Sequence, residues 1–118
     1  MVRYDFQHLS ALETTGVDMS KLVRDHIPQI INESGRECDF HIADLPEMKE
    51  RIYDKILEEL DEFQEAPTLE EAADLYEAFR TMLWVWDLDY ERVLDKAHSK
   101  RDNRGGFIEG VVLDKVHE

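Results

Sequence analysis

ILEELDEFQEAPTLEEAADLYEAF, residues 56–79, carries two apolar helical periods broken at Ala66-Pro67-Thr68. Proline lacks a backbone donor and threonine is a favoured helix cap. One long helix therefore ends near Ala66 and a second opens at Thr68. So short a break folds the two back on each other as an antiparallel hairpin. At ~100° per residue, Ile52, Ile56, Leu60 and Phe63 share one face of the first helix. Leu75, Phe79, Met82 and Trp86 share one face of the second.

Two acids in each helix break the pattern. Glu59 lies roughly 60° from Ile56, and Glu62 roughly 60° further along the same side. Glu71 lies roughly 40° from Leu75, inside the apolar face, with Asp74 at its border. Asp54, Glu58, Asp61 and Glu65 point away from the core, as do Glu70 and Glu77. A fold about positions 66–67 sets Glu59 level with Asp74 and Glu62 level with Glu71. Four carboxylates at one depth repel one another, and some must protonate unless a cation joins them. Magnesium, or manganese in its place, suits hard oxygen ligands and leaves positions for water and phosphate oxygens. Glu59, Glu62, Glu71 and Asp74 are therefore the candidate metal ligands. Thr68-x-x-Glu71 also matches a capping box, so Glu71 has a second reading as a helix cap.

The flanking elements follow from turn and cap residues. Asp44 and Pro46 open the first long helix, Leu45 to about Ala66. The second runs from Thr68 to about Asp87. Asp89 caps a third that reaches about Asn103, stopped by Arg104-Gly105-Gly106. Lys21 to Ser34 reads as a short helix closed by Gly35, with Pro28 in its first turn. Glu37 to Ala43 and Phe107 to Leu113 read as short extended segments able to pair. Residues 1–20 show no period and are read as an N-terminal arm. Residues 21–118 form a single helical domain. The expected class is all-α, an antiparallel hairpin or bundle of about four helices with one or two short extended segments. Because two helices bury little around a metal site, a homodimer or larger homo-oligomer is expected to complete the bundle. Trp84 lies opposite the apolar stripe and is expected to pack on another subunit or on the arm. Trp86 falls on the stripe and is expected in the core.

The 118 residues suffice for one core, and 42% hydrophobic with 36% charged residues fits a soluble globular chain. A formal charge of −14 argues against binding polymeric nucleic acid or a membrane surface. Charge is segregated: acids dominate from Asp44 to Glu77, while Arg92, Lys96, Lys100, Arg101 and Arg104 make a basic segment. No apolar run reaches membrane-spanning length and no signal-peptide pattern opens the chain. With the single Cys38, which excludes an internal disulfide and a cysteine-based zinc site, this gives the expectation of a cytoplasmic protein. There is no GxxxxGK[ST], HExxH or GxSxG, which counts against a P-loop NTPase, a zincin and a nucleophile-elbow hydrolase. His41 and His98 lack metal-ligand spacing and are read as surface or packing residues.

EExxE followed by ExxD on consecutive helices resembles the all-α nucleoside triphosphate pyrophosphohydrolases, which include MazG-type enzymes and phosphoribosyl-ATP pyrophosphohydrolase. Lys21-Leu22-Val23-Arg24-Asp25-His26-Ile27-Pro28 is similar to the KLVRDKIP opening of the small MazG-like proteins, with His26 in place of lysine. Arg104-Gly105-Gly106-Phe107 is similar to their RGGF segment. The resemblance spans about residues 21–113. It implies magnesium ligation by Glu59, Glu62, Glu71 and Asp74. It also implies hydrolysis between the α- and β-phosphates of a nucleoside triphosphate, giving a monophosphate and pyrophosphate. Glu58 matches the motif's first glutamate, but its outward direction makes it the weakest candidate ligand.

Such chemistry asks little more of the protein. Glu59 or Glu62 is nominated to orient the attacking water or accept its proton. Lys96, Lys100, Arg101 and Arg104 are the candidate phosphate-binding cations, with Lys21 and Arg24 next. Arg92, Lys96 and Lys100 form a stripe at i, i+4 steps. Gly105-Gly106 permits close backbone approach to a ligand, and a helix stop explains the pair equally well. Phe40, Trp84, Trp86 and Phe107 are able to stack on a base, but no base pocket is assigned. The leading expectation is a magnesium-dependent nucleotide pyrophosphohydrolase that clears noncanonical or surplus nucleotides. The same chemistry on phosphoribosyl-ATP in histidine biosynthesis is the nearest rival. A non-catalytic acidic helical binding protein is the reading from another class.

Overall fold

A computed structural model describes residues 20–118, and among these residues the fold is all-helical. The helices are α1 (Ile27–Glu33), α2 (Leu45–Glu65), α3 (Leu69–Val85) and α4 (Tyr90–Arg104). Each of the last three opens on the residue type that satisfies an orphan N–H. The Glu47 N–H donates to Asp44 Oδ1 (3.0 Å), the Glu71 N–H to Thr68 Oγ1 (3.2 Å) and the Arg92 N–H to Asp89 Oδ2 (3.0 Å). Gly105, at φ 83°, closes α4 in a left-handed conformation that costs glycine nothing.

α2 and α3 form the expected hairpin. Ile52 packs with Val85 and Ala78, while Glu59 meets Asp74 and Glu71. Descending α2 therefore means ascending α3, and the helices run antiparallel. Leu22, Met48, Ile56 and Met82 close over this core, and a second cluster joins Ile27 and Ile31 to Val23, Ile30 and Cys38. α4 leaves the hairpin with no buried residue of its own. Its first turn is tied to α3 by Tyr90, whose hydroxyl meets that of Tyr76 at 2.5 Å and whose ring lies under Arg80.

Both long helices are rotated from the face that their largest apolar residues define. Leu60, Phe79 and Trp86 are between about a third and a half exposed, whereas Ala78 and Val85 are buried together with Glu59, Glu71 and Asp74. The turn amounts to roughly 50° in α2 and 70° in α3. It carries the acids from the border of the face to its centre. Small Ala78 at the contact lets the helices approach closely. Trp86 is accordingly not a core residue, and Lys49 Nζ lies 4.4 Å over its ring.

Three boundary expectations are corrected. Residues 21–26 are not helical, and α1 begins at Ile27. Pro28 is tolerated in a first turn, but a helix begun at Lys21 would drive its ring into the Arg24 carbonyl. Residues 37–43 and 107–113 form no strand among the described residues. Two such strands alone are too few to be stable, and a turn at 107–110, with Gly110 at φ 71°, bends the second segment. The expected arm at 1–20 lies outside the described residues apart from Ser20.

A candidate metal centre between the long helices

Glu59 from α2 and Glu71 and Asp74 from α3 each place a carboxylate oxygen within 4.8 Å of the other two. All three residues are buried, at 2%, 7% and 5% exposure, in a hairpin that offers them little water. Glu59 Oε1 and Asp74 Oδ2 accept no hydrogen bond. A buried carboxylate oxygen without a partner is costly, and the deficit here is repeated at one point between two helices.

Cations ring the cluster without filling it. Lys55 Nζ lies 3.2 Å from Glu59 Oε2 and 3.4 Å from Glu58 Oε1. Arg24 Nη2 donates to Asp74 Oδ1 at 2.6 Å, and Lys21 Nζ to Glu58 Oε2 at 2.7 Å. The non-helical run 21–26 makes this possible. It crosses the hairpin with Leu22 on the core, Lys21 on Glu58 and Arg24 on Asp74. The Arg51 guanidinium holds its start by donating to the Ser20 carbonyl.

The environment shifts the proton affinities of these acids in opposite directions. Burial raises the Glu59 pKa despite the opposing Lys55 charge. Burial, then the Glu71 carboxylate, raises that of Glu62. Burial would also raise Glu58, but the Lys21 hydrogen bond and the Lys55 charge outweigh it and hold Glu58 below the usual glutamate range.

Hard, anionic oxygens with unused lone pairs fit magnesium or manganese. Orphaned oxygens on Glu59 and Asp74 are the observation that makes the fit specific. Comparison with protein-family models, with curated proteins and with solved structures returned no match.

The structure thus joins three of the four expected ligands. Glu62 stands beside them, half-buried and close enough to feel Glu71 and Asp74, but outside the tight group. Its position follows from the rotation of α2, which centres Glu59 and leaves Glu62 at the rim. Glu58 is not simply outward, because Lys21 and Lys55 cover it. Lys21 and Arg24 reach the acids themselves. Lys96, Lys100, Arg101 and Arg104 are exposed on α4, and among the described residues none forms an ion pair with the cluster. Lys55 escaped the sequence reading, although its i+3 and i+4 spacing to Glu58 and Glu59 was there to be seen.

Glu71 reconciles its two readings. Its N–H takes the Thr68 cap, but the reciprocal bond of a capping box does not form, since the Thr68 N–H donates to the Ala66 carbonyl at 2.7 Å. The Glu71 side chain goes to the cluster instead.

Proposed function

We propose that this chain is a magnesium-dependent nucleoside triphosphate pyrophosphohydrolase of the all-α, MazG-like kind, cleaving between the α- and β-phosphates. The observation that carries the reading is the buried Glu59–Glu71–Asp74 group, in which Glu59 Oε1 and Asp74 Oδ2 accept no hydrogen bond. These three residues would hold the ion. A divalent ion so held supplies positive charge for phosphate oxygens and acidifies water. Glu62, at the rim with a raised proton affinity, suits the base that takes a proton from the attacking water. Glu59 is the alternative base. Arg24 and Lys21, which reach the acids at Asp74 and Glu58, are assigned to substrate phosphate oxygens, and the α4 cations Lys96, Lys100, Arg101 and Arg104 to the pyrophosphate end. Manganese is the natural substitute ion. We assign the chain to nucleotide-pool clearance, with a homo-oligomer as the working form.

Pyrophosphate release from a panel of canonical and modified triphosphates, with phosphoribosyl-ATP included, tests the proposal. Activity with magnesium is expected in the wild type, with losses of at least about 100-fold in Glu59→Gln and Asp74→Asn, as befits groups that stabilise developing charge. Equal turnover in all three proteins would overturn the site. Turnover of phosphoribosyl-ATP alone would move the protein to histidine biosynthesis. Turnover of nothing on the panel would favour the acidic binding protein, for which Asp54, Asp61 and Glu65 already line an outer acidic face with Glu58 and Glu62.

A further inference from the structure

Glu59 and Asp74 are each held by a cation at one oxygen and left bare at the other. Lys55 Nζ lies 3.2 Å from Glu59 Oε2, and Arg24 Nη2 donates to Asp74 Oδ1 at 2.6 Å. Glu59 Oε1 and Asp74 Oδ2 are buried and accept no hydrogen bond. The first cation comes from α2 and the second from the non-helical 21–26 crossing. The same division therefore arises twice, from separate parts of the chain.

Lys55 is itself fixed. Its Nζ lies 3.4 Å from Glu58 Oε1, and the other oxygen of Glu58, Oε2, accepts from Lys21 Nζ at 2.7 Å. Glu58 thus spends both oxygens on cations and anchors the lysine that holds Glu59. The Lys55 side chain is only 14% exposed, although so flexible a stem ordinarily carries its ammonium out to water. A carboxylate oxygen already beside a cation takes a divalent ion only against the repulsion between the two. Oε2 of Glu59 and Oδ1 of Asp74 are in that position, and Oε1 and Oδ2 are not.

We propose that Lys55 and Arg24 are positioning residues that confine Glu59 and Asp74 to one oxygen each toward the ion, and so select magnesium over calcium. The inference rests on the metal centre proposed above. Magnesium is small, demands a near-ideal octahedron and keeps several waters, so it is served by few carboxylate oxygens. Calcium is larger, gathers roughly six to eight oxygens and gains from carboxylates that grip it with both. Two of the three buried acids are denied that grip here, each by a cation of this chain.

Isothermal titration of the full chain with magnesium and with calcium tests the selection, using wild type, Lys55→Met and Lys55→Arg. The wild type is expected to prefer magnesium. Losing one positive charge tightens both ions alike, so only the freed Glu59 oxygen changes their ratio. In Lys55→Met the calcium-to-magnesium affinity ratio is expected to rise by about tenfold or more, and in Lys55→Arg to stay at the wild-type value. Thermal melting in chelator checks that both variants are folded. Should Lys55→Met fail to fold, Arg24→Met reads the same ratio at Asp74. A ratio that the methionine variant leaves unchanged, or a wild type that prefers calcium, overturns the selection and leaves the centre standing. A wild type that binds neither ion removes the centre and the selection with it.

Discussion

Arg24 and Asp74, fifty positions apart in sequence, meet at 2.6 Å across the mouth of the acid cluster. The Asp74 side chain is only 4% exposed, while that of Arg24 keeps 34%. The guanidinium therefore supplies part of the countercharge that three buried acids require. It leaves Asp74 Oδ2 and Glu59 Oε1 available. Arg24→Gln is expected to destabilise the metal-free protein by about 1–3 kcal/mol, the range for a charged hydrogen bond, at the lower end because Arg24 is partly solvated. Urea unfolding with a chelator present measures it. Saturating manganese is expected to shrink the deficit, and a variant midpoint equal to that of the wild type in chelator would count against the pair.

Glu59→Gln has opposite expected effects with and without metal. In chelator it removes one of three clustered charges, so the melting temperature stays level or rises. With manganese at ~100 times its dissociation constant, the wild type gains about 2.7 kcal/mol and the variant little of it. Differential scanning calorimetry in both conditions reads the two signs. A wild type indifferent to manganese and magnesium would remove the case for the centre.

The metal-free protein is expected to become more stable as pH falls from neutrality toward the unfolded glutamate range. Glu59 and Glu62 have raised folded pKa values, burial being the main cause in each. A raised carboxylate costs stability above its folded pKa, and the cost fades as pH drops toward the unfolded value of about 4.3. Glu58 has the reverse sign. Its lowered pKa gives stability that is present above the unfolded value and lost only at more acid pH. Urea midpoints across this window in chelator give the slope, and Glu62→Gln is expected to flatten it. A midpoint that falls steadily from pH 7 would contradict the burial of these acids.

Thr68→Ala is expected to cost about 1 kcal/mol through loss of the N-cap. It also loosens the turn that aims Glu71, so manganese affinity is expected to fall together with stability. Asp44→Ala removes a cap of equal kind from α2, far along the helix from the acids, and is expected to lower stability alone. Isothermal titration with manganese separates the two variants.

Ala78→Leu is expected to destabilise the hairpin by about 1–3 kcal/mol, because added methylenes would push α3 away from Ile52. The displacement would also separate Asp74 from Glu59, so denaturation and manganese titration are expected to fall together.

Helix caps and breakers made the secondary structure legible. Asp44, Pro67, Thr68, Asp89 and Gly105 act through bonds to their near neighbours, so they declare themselves in sequence. The pairing of Glu59 with Asp74 was equally legible, because a three-residue link between straight helices fixes which residues lie level. The rotation of the helices was not. A helical wheel weighs side chains by hydrophobicity and so placed Phe79 and Trp86 inward. The observed contact instead uses Ala78, whose size sets how closely two backbones approach. That rotation made Glu59 central and Glu62 peripheral.

Sequence by itself thus determined the all-helical class, the hairpin and the meeting of acids within it, since each depends on local bonds and helical period. Only the tertiary structure decided which three acids are buried together. Only it showed that residues 21–26 leave the helix to bring Lys21 and Arg24 onto those acids. Both are long-range outcomes, in which burying Leu22 and neutralising Asp74 are achieved at the same crossing, and no local spacing encodes them.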